Sequence, residues 1–445
     1  MYLKVIKGLA QAKAEFSRVD PLDLSSLPPE VMDRTEALFG ERLSPQESVQ
    51  RILQDVRQQG DSALRYYGCL LDGVELEGLE VSEQEIVQAH QQVPEALVRA
   101  LELAAGRIEK FHRATLRKSW VDLSSGLGEL VIPLERVGIY APGGTAAYPS
   151  TVLMTAIPAR VAGVREVILA TPPRDGGVPN PAVLVAARLA GVDRVFRVGG
   201  VQAVAAMAFG TETVPRVDKI CGPGNIFVTL AKRLVFGHVD IDGLYGPTET
   251  VVVADETASP AYCAADLLAQ AEHDPLASPI LITTSLSLVG EVEGEVDRQL
   301  VSLERGDLAG LSLERQGRVI LVDSIEDAME LANTIAPEHL CLMVREAWAW
   351  VGKVRHAGGV FLGPFSPEVM GDYVAGPSHV MPTGGTARFS SALSVHHFLK
   401  TMPVVGLKPE EYRELAEAAA TIARAEGLTG HARAVEVRLD DLIQR

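Results

Sequence analysis

The stretch that decides the fold is EVILATPPRDGGVPNPAVLVAARLAGVDRVFRVGG, residues 166–200. It opens on a short run of branched aliphatic residues, Val167–Leu169. A turn rich in proline and glycine follows, then the apolar segment 181–192, then a second short run at 194–198 that ends in two glycines. Short continuous apolar runs read as strands buried on both faces, and the segment between them is long enough for a helix. Strand, helix, strand in one direction is the repeating unit of a parallel sheet.

The same rhythm extends both ways. Upstream, RVGIYAP (136–142) reads as a strand, GGTAAYPS (143–150) as a glycine-rich turn and TVLMTAIPARVAGV (151–164) as a helix. Downstream come helix 201–210, the short strand and turn KICGPG (219–224) and helix 225–237. A second βα series starts at ETVVVAD (249–255) and runs through PAYCAADLLAQAEHD, PILITTS, RVILVDS, IEDAMELANTIAPEHL and CLMVR to GGVFLG (358–363). The fold class is α/β, with two tandem Rossmann-like parallel-sheet domains. Residues 45–115 are helical by pattern, with Ser44 as an N-cap and Gly60 as a stop. Residues 117–133 are less regular. Residues 1–30, ending SSLPPE, read as an N-terminal arm, and the chain from about 407 as a small helical C-terminal tail domain.

The bulk numbers set limits. A chain of 445 residues exceeds one core. With 41 Lys and Arg against 58 Asp and Glu, the formal charge is −17. That argues against nucleic acid or an anionic membrane surface as a partner. No apolar run reaches the roughly 18 residues that a membrane span needs, and the first residues lack a secretory signal. Cys69, Cys221, Cys263 and Cys341 are scattered and match no CxxC pattern, which fits reduced thiols in a cytoplasmic protein.

Several positions carry chemistry. Gln270 and His273 share a face near the last turn of a helix. They are half of a metal site, or a histidine placed against the helix dipole. In APEHLC (336–341), Pro337 ends a helix and sets Glu338 and His339 at the mouth of a sheet. They are an acid–base pair in the crevice where open α/β folds bind ligands, or an ordinary turn. Cys341 opens an apolar strand and reads as core; Cys221, before a Gly-Pro-Gly turn, is a weak candidate for thiohemiacetal chemistry. Tyr140 ends a strand, where its ring stacks on a flat cofactor or simply packs. The glycine turns match neither GxGxxG nor the phosphate-loop pattern. Asp372 follows Gly371, His379 follows a loop, and Glu426 and His431 stand five apart in the tail. His90, His112 and His356 read as surface residues, His238 as structural, and His396 and His397 stay open.

Seven motifs, in order, resemble the histidinol dehydrogenase family: GIYAPGG, CGPGN, GPTE, QAEHDP, APEHL, GDYVAGPSHVMPTGGTARFSS and EGLTGH. The resemblance spans residues 30 to 440 or so. It implies NAD-dependent, four-electron oxidation of L-histidinol to L-histidine through L-histidinal, late in histidine biosynthesis, by an intertwined homodimer with one zinc ion per site. Residue by residue it implies Glu338 and His339 as the catalytic pair. Gln270, His273, Asp372 and His431 are the implied metal ligands. Tyr140, Gln202 and Asn225 are the implied NAD contacts. Thr248, Gln270, His273, His339, Asp372, His379, Glu426 and His431 are the implied substrate contacts, with Glu426 and His431 donated across the dimer interface. Position 248 departs from the family's GPSE, but threonine keeps the hydroxyl. The implied division is an arm at 1–30, a discontinuous zinc and catalytic domain at 31–135 and 248–395, an NAD-binding domain at 136–247 and a partner-contacting tail at 396–445. A related zinc and NAD dehydrogenase acting on another small alcohol, such as a sulfonated diol, is the alternative.

Overall fold

The computed structural model describes residues 3–16, 35–36, 39–143, 147–174 and 176–444. The SSLPPE linker and the centre of the GGTAAYPS turn lie outside the described residues. The chain divides into two compact units. The first comprises residues up to Thr115 with Leu134–Phe398, and the second Leu116–Pro133 with Leu399–Arg445.

The first unit contains two parallel sheets. The five-stranded sheet has the order Arg194–Phe196, Glu166–Ala170, Arg136–Tyr140, Lys219–Cys221, Asp240–Ile241. The stretch 166–200 supplies two adjacent strands of it, Ile168 opposite Arg194, joined by helix Pro181–Leu189. Val137, Ile139, Val167 and Ile168 are all inaccessible to solvent. Burying each such side chain is worth about 1.5–3 kcal/mol, which explains why the strands read as unbroken apolar runs.

The six-stranded sheet has the order Lys4–Lys7, Arg318–Leu321, Ser278–Thr283, Glu249–Ala254, His339–Met343, Gly359–Leu362, parallel throughout. Its edge strand comes from the segment read as an arm: Ile6, 1% exposed, pairs with Ile320. The alternation KVIK is too short to stand out without its partner.

The capping box at Ser44 is present. Ser44 Oγ accepts from Glu47 N at 3.2 Å, and Ser44 N donates to Glu47 Oε2 at 2.8 Å. Helices Pro45–Gln59 and Asp61–Tyr67 bury Val49, Ile52, Val56 and Tyr67 in one core with Phe196, Val204 and Val235. Residues 45–67 therefore pack on the five-stranded sheet. Periodicity showed their apolar stripe but not which sheet would cover it.

In the second unit, Leu127–Pro133 pairs antiparallel with both Trp120–Asp122 and Leu399–Val405, and helices Pro409–Ala425 and Thr429–Gln444 follow. The tail thus begins with a strand, and the segment read as less regular supplies that strand's partners.

Candidate active site

Helix Ile325–Ile335 stops at Ala336, whose φ of 55° makes it the one non-glycine residue with positive φ among those described. Pro337 follows, and strand His339–Met343 starts two residues later. Gly359 N donates to the Glu338 carbonyl at 2.8 Å, and Gly358 N to that of Pro337 at 2.9 Å. The backbone beneath Glu338 and His339 is therefore pinned from the neighbouring strand. Both side chains are buried, at 7% and 3% exposure. They lie at the amino end of their strand, not the carboxyl end where the rule for open sheets places ligands.

Three other segments converge there. Thr248, just before strand Glu249–Ala254, places Oγ1 2.8 Å from Gln270 Oε1 and 2.5 Å from Glu338 Oε2. The Glu249 amide donates to the same Glu338 oxygen at 3.2 Å. Gln270 sits on the last turn of helix Pro260–Ala271, with Nε2 3.3 Å from His339 Nδ1. On the other side of the imidazole, His339 Nε2 is 3.2 Å from Asp372 Oδ1. The His339 ring stacks on Phe361 with centroids 5.7 Å apart. Thr248, Gln270, Glu338, His339 and Asp372 thus form one buried contact network.

The partners fix protonation. His339 Nδ1 is 3.2 Å from the Glu249 carbonyl, an acceptor, and Nε2 faces the Asp372 carboxylate. Burial disfavours the imidazolium, but Glu338, Asp372 and Glu368 together outweigh it and push the pKa up to about 10. Asp372 shows the reverse balance: burial raises its pKa, and the hydrogen bond and charge of His339 bring it below the ordinary value. Burial raises Glu338, against the pull of His339 and the Thr248 hydrogen bond. His379 Nδ1 donates to the Asp372 carbonyl at 2.8 Å, leaving Nε2 to accept from Thr151 Oγ1 at 3.1 Å. Burial lowers its pKa and that of His273, so both imidazoles are neutral.

Two acids at this centre escaped the reading of the sequence. Glu249 and Glu368 are each pushed up to about 7, chiefly by burial. Glu368 is inaccessible to solvent and accepts from Thr250 Oγ1 at 2.6 Å, and one oxygen of each acid has no hydrogen-bond partner. Thr250 was the available signal, a polar residue inside the apolar run ETVVVA. Among the described residues, no three His, Cys, Asp or Glu side chains cluster so as to hold a metal by themselves. Cys221 and Cys341 are buried and free, and burial pushes both thiols well above the usual range, so neither is a ready nucleophile.

A second constellation lies at the carboxyl edge of the five-stranded sheet. Strand order reverses between Arg136–Tyr140 and Lys219–Cys221, which is the switch point where open sheets form a crevice. Tyr140 ends its strand there, and its hydroxyl accepts from Gly200 N at 3.1 Å. Gln202, 1% exposed, starts the next helix, and its Oε1 has no partner. Asn225 caps helix Ile226–Val235, its Oδ1 accepting from Phe227 N at 3.1 Å and Val228 N at 3.2 Å. Between them, Gly222 has φ +119°, and a Cβ there would lie 2.1 Å from the Tyr140 carbonyl oxygen, so only glycine fits. Lys232, buried and paired with Asp242, holds the same turn through the Gly222 carbonyl at 3.1 Å.

Glu426 and His431 belong to the second unit, where both are exposed at the junction of its two helices. His112, read as a surface residue, is fully buried, and neither ring nitrogen has a partner. Its helix, Glu95–Ala114, is polar on average, but position 112 falls on the stripe of Val98, Leu101, Ala104 and Ile108.

The family model for histidinol dehydrogenase matches residues 40–439. The chain is 50% identical over 440 residues to histidinol dehydrogenase of Dehalococcoides mccartyi strain CBDB1, covering 98% of this chain and 100% of the relative. It is 51% identical over 441 residues to that of Deinococcus radiodurans, with the same coverage. The crystal structure of histidinol dehydrogenase from Elizabethkingia anophelis superposes with a TM-score of 0.91 at 36% identity, covering 99% of both chains. The chain belongs to the histidinol dehydrogenase family.

Proposed function

We propose that the protein oxidises L-histidinol to L-histidine through L-histidinal, in two NAD-dependent steps at one site. Family membership over nearly the whole chain supports the reaction. The observation that carries the site is the buried network of Thr248, Gln270, Glu338, His339 and Asp372. Residues 248–395 form the catalytic half and 136–247 the dinucleotide half.

Gln270, His273 and Asp372 hold one zinc ion, with His431 of a second copy of the chain as fourth ligand in a cytoplasmic homodimer. The donors suit it: a neutral imidazole, an ionised carboxylate and an amide oxygen form a borderline set. Zinc, when bound, supplies a fixed positive charge that orients the substrate's imidazole and amine. Thr248, His379 and Glu426 complete the substrate contacts. Tyr140, Gln202 and Asn225 hold NAD, which takes up the hydride. The orphaned Gln202 oxygen and the glycine turn at 222 leave donors and close backbone for such a ligand.

His339 is the base in the first step. In the chain alone its charge is held by Glu338, Asp372 and Glu368. A cation held by Asp372 would weaken that attraction and favour the neutral imidazole. It takes the alcohol proton as the carbinol hydride departs, leaving the aldehyde. In the second step Glu338 takes a proton from water while the water oxygen bonds to the aldehyde carbon, and His339 returns the proton it took from the alcohol to the carbonyl oxygen, which gives the hydrate and leaves the imidazole neutral. His339 then takes a hydroxyl proton from the hydrate as the second hydride departs, and the acid is formed. Burial of both residues keeps bulk water from the aldehyde between the steps.

The test is stoichiometric. Two NADH per L-histidinol consumed, abolished by a chelator and restored by zinc, is the expected result; one NADH per substrate or chelator-resistant turnover would refute it. No observation favours the alternative of a sulfonated diol as substrate.

A further inference from the structure

Asp72 is the last residue of the short helical segment Gly68–Asp72, whose tip reaches the carboxyl edge of the five-stranded sheet. Gln202 Nε2 donates to its Oδ2 at 3.3 Å. Its Oδ1 stands 3.3 Å from where a side chain on Gly199 would begin, so the glycine turn leaves this oxygen uncrowded. No ion pair to Asp72 occurs among the described residues. Burial pushes its pKa up to about 6, so the carboxylate forms at neutral pH without a cation to stabilise it. Beside it, Gln202 Oε1 is buried with no partner. Two polar groups thus face the same edge with hydrogen-bonding capacity that the protein does not use.

Their position in the sheet says which part of a dinucleotide they meet. The chain leaves the sheet after Asp240–Ile241 and reaches Thr248, at the reaction centre, seven residues later. The reacting end of the ligand therefore lies on the Asp240–Ile241 side. Strand Arg194–Phe196, which leads into Gly199 and Gln202, is four strands away at the opposite edge, about 19 Å at the usual spacing. The adenosine end falls there. A carboxylate accepts hydrogen bonds from vicinal hydroxyls and repels a phosphate on the same ribose.

We propose that Asp72, with Gln202, grips the adenosine ribose hydroxyls of the dinucleotide and selects NAD against its 2′-phosphorylated counterpart. The proposal rests on the assignment of Tyr140, Gln202 and Asn225 to NAD. The acid comes from a segment well before the sheet rather than from the end of its second strand, where the dinucleotide fingerprint carries it, and the absence of that fingerprint is thereby accounted for.

The experiment is calorimetric titration of the zinc-loaded enzyme, without alcohol substrate, by NAD, by NADP and by NAD lacking the adenosine 2′-hydroxyl. The native protein should bind NAD about tenfold or more tightly than the deoxy analogue, the range for a hydrogen bond to a charged group. It should discriminate against NADP at least as strongly. In Asp72→Asn and Asp72→Ser both gaps should shrink to about threefold or less, while KM for L-histidinol holds. Equal binding of NAD and the deoxy analogue by the native protein overturns the proposal without any variant. Unchanged gaps in Asp72→Asn also overturn it, and Gln202→Ala and Asn225→Ala show how far the failure extends. If those two weaken NAD binding, the site stands and Asp72 is idle; if they do not, the NAD assignment has failed with it.

Discussion

Thr248 has one hydroxyl hydrogen and two acceptors within reach, Gln270 Oε1 and Glu338 Oε2. Donating to Glu338 favours its carboxylate, against the burial that raises its pKa, and donating to Gln270 withdraws that support. Thr248 thereby ties the charge of Glu338 to the orientation of the Gln270 amide. Thr248→Val keeps the shape and removes the hydroxyl. It should slow aldehyde oxidation about tenfold or more in single-turnover NADH formation, with Thr248→Ser close to the native rate. Equal rates for valine and serine would remove the hydroxyl from the chemistry. Glu338→Gln should spare alcohol oxidation and cut aldehyde oxidation by roughly 10²–10⁴, the range for lost general-base catalysis. His339→Asn should slow both steps, which stopped-flow traces with L-histidinol and with L-histidinal separate. The residue types were legible in the sequence: the acid and imidazole after Pro337, and the amide and imidazole three apart. Their second partners were not, because Glu249 and Glu368 enter through strand pairing and loop closure that no local spacing encodes.

The two parallel sheets use opposite edges. In the five-stranded sheet the candidate ligand contacts stand at the carboxyl ends, as the reversal of strand order predicts. In the six-stranded sheet the buried contact network of Thr248, Glu338 and His339 stands at the amino ends of strands Glu249–Ala254 and His339–Met343. Alternating apolar runs announce strands and helices but not the edge at which chemistry collects. Helix Glu95–Ala114 shows the same limit. Its periodicity is plain, but its job is to brace segment Gly371–Ala375: Arg107 Nε donates to the Val374 carbonyl at 2.9 Å, and Gly376 packs on the helix backbone. Near its end His112 is buried without a partner, and burial pushes its pKa down to about 4 from an ordinary 6.5. The unfolded chain therefore binds the proton more readily. Stability tied to this group is present above pH 6.5 and falls as pH drops toward 4, by up to about 3 kcal/mol. His112→Leu should remove that loss. Denaturant melts of both proteins at pH 7.5 and 4.5 check it: the variant should gain on the native protein at the lower pH, and a constant difference would contradict the assignment.

At the scale of the whole molecule, the proposed metal donors Gln270, His273 and Asp372 lie with the six-stranded sheet and the proposed NAD contacts with the five-stranded one. Stripping zinc should therefore abolish both oxidation steps while leaving NAD affinity unchanged, and His273→Ala should reproduce this with a low zinc content by elemental analysis. A parallel loss of NAD binding on chelation would show that the two sites are not separable. The order of assembly is also written in the strand pairing. The edge strand Lys4–Lys7 docks on Arg318–Leu321, more than three hundred positions later in the chain. During synthesis at about 5–20 residues per second, the first residues to emerge wait roughly 15–60 s for their partner to leave the ribosome. All five strands of the five-stranded sheet, residues 136–241, are complete well before then. The nascent chain can thus close its central parallel layer while the other sheet still lacks Arg318–Leu321 and the two strands made after it, so the first residues synthesised are among the last to find their place.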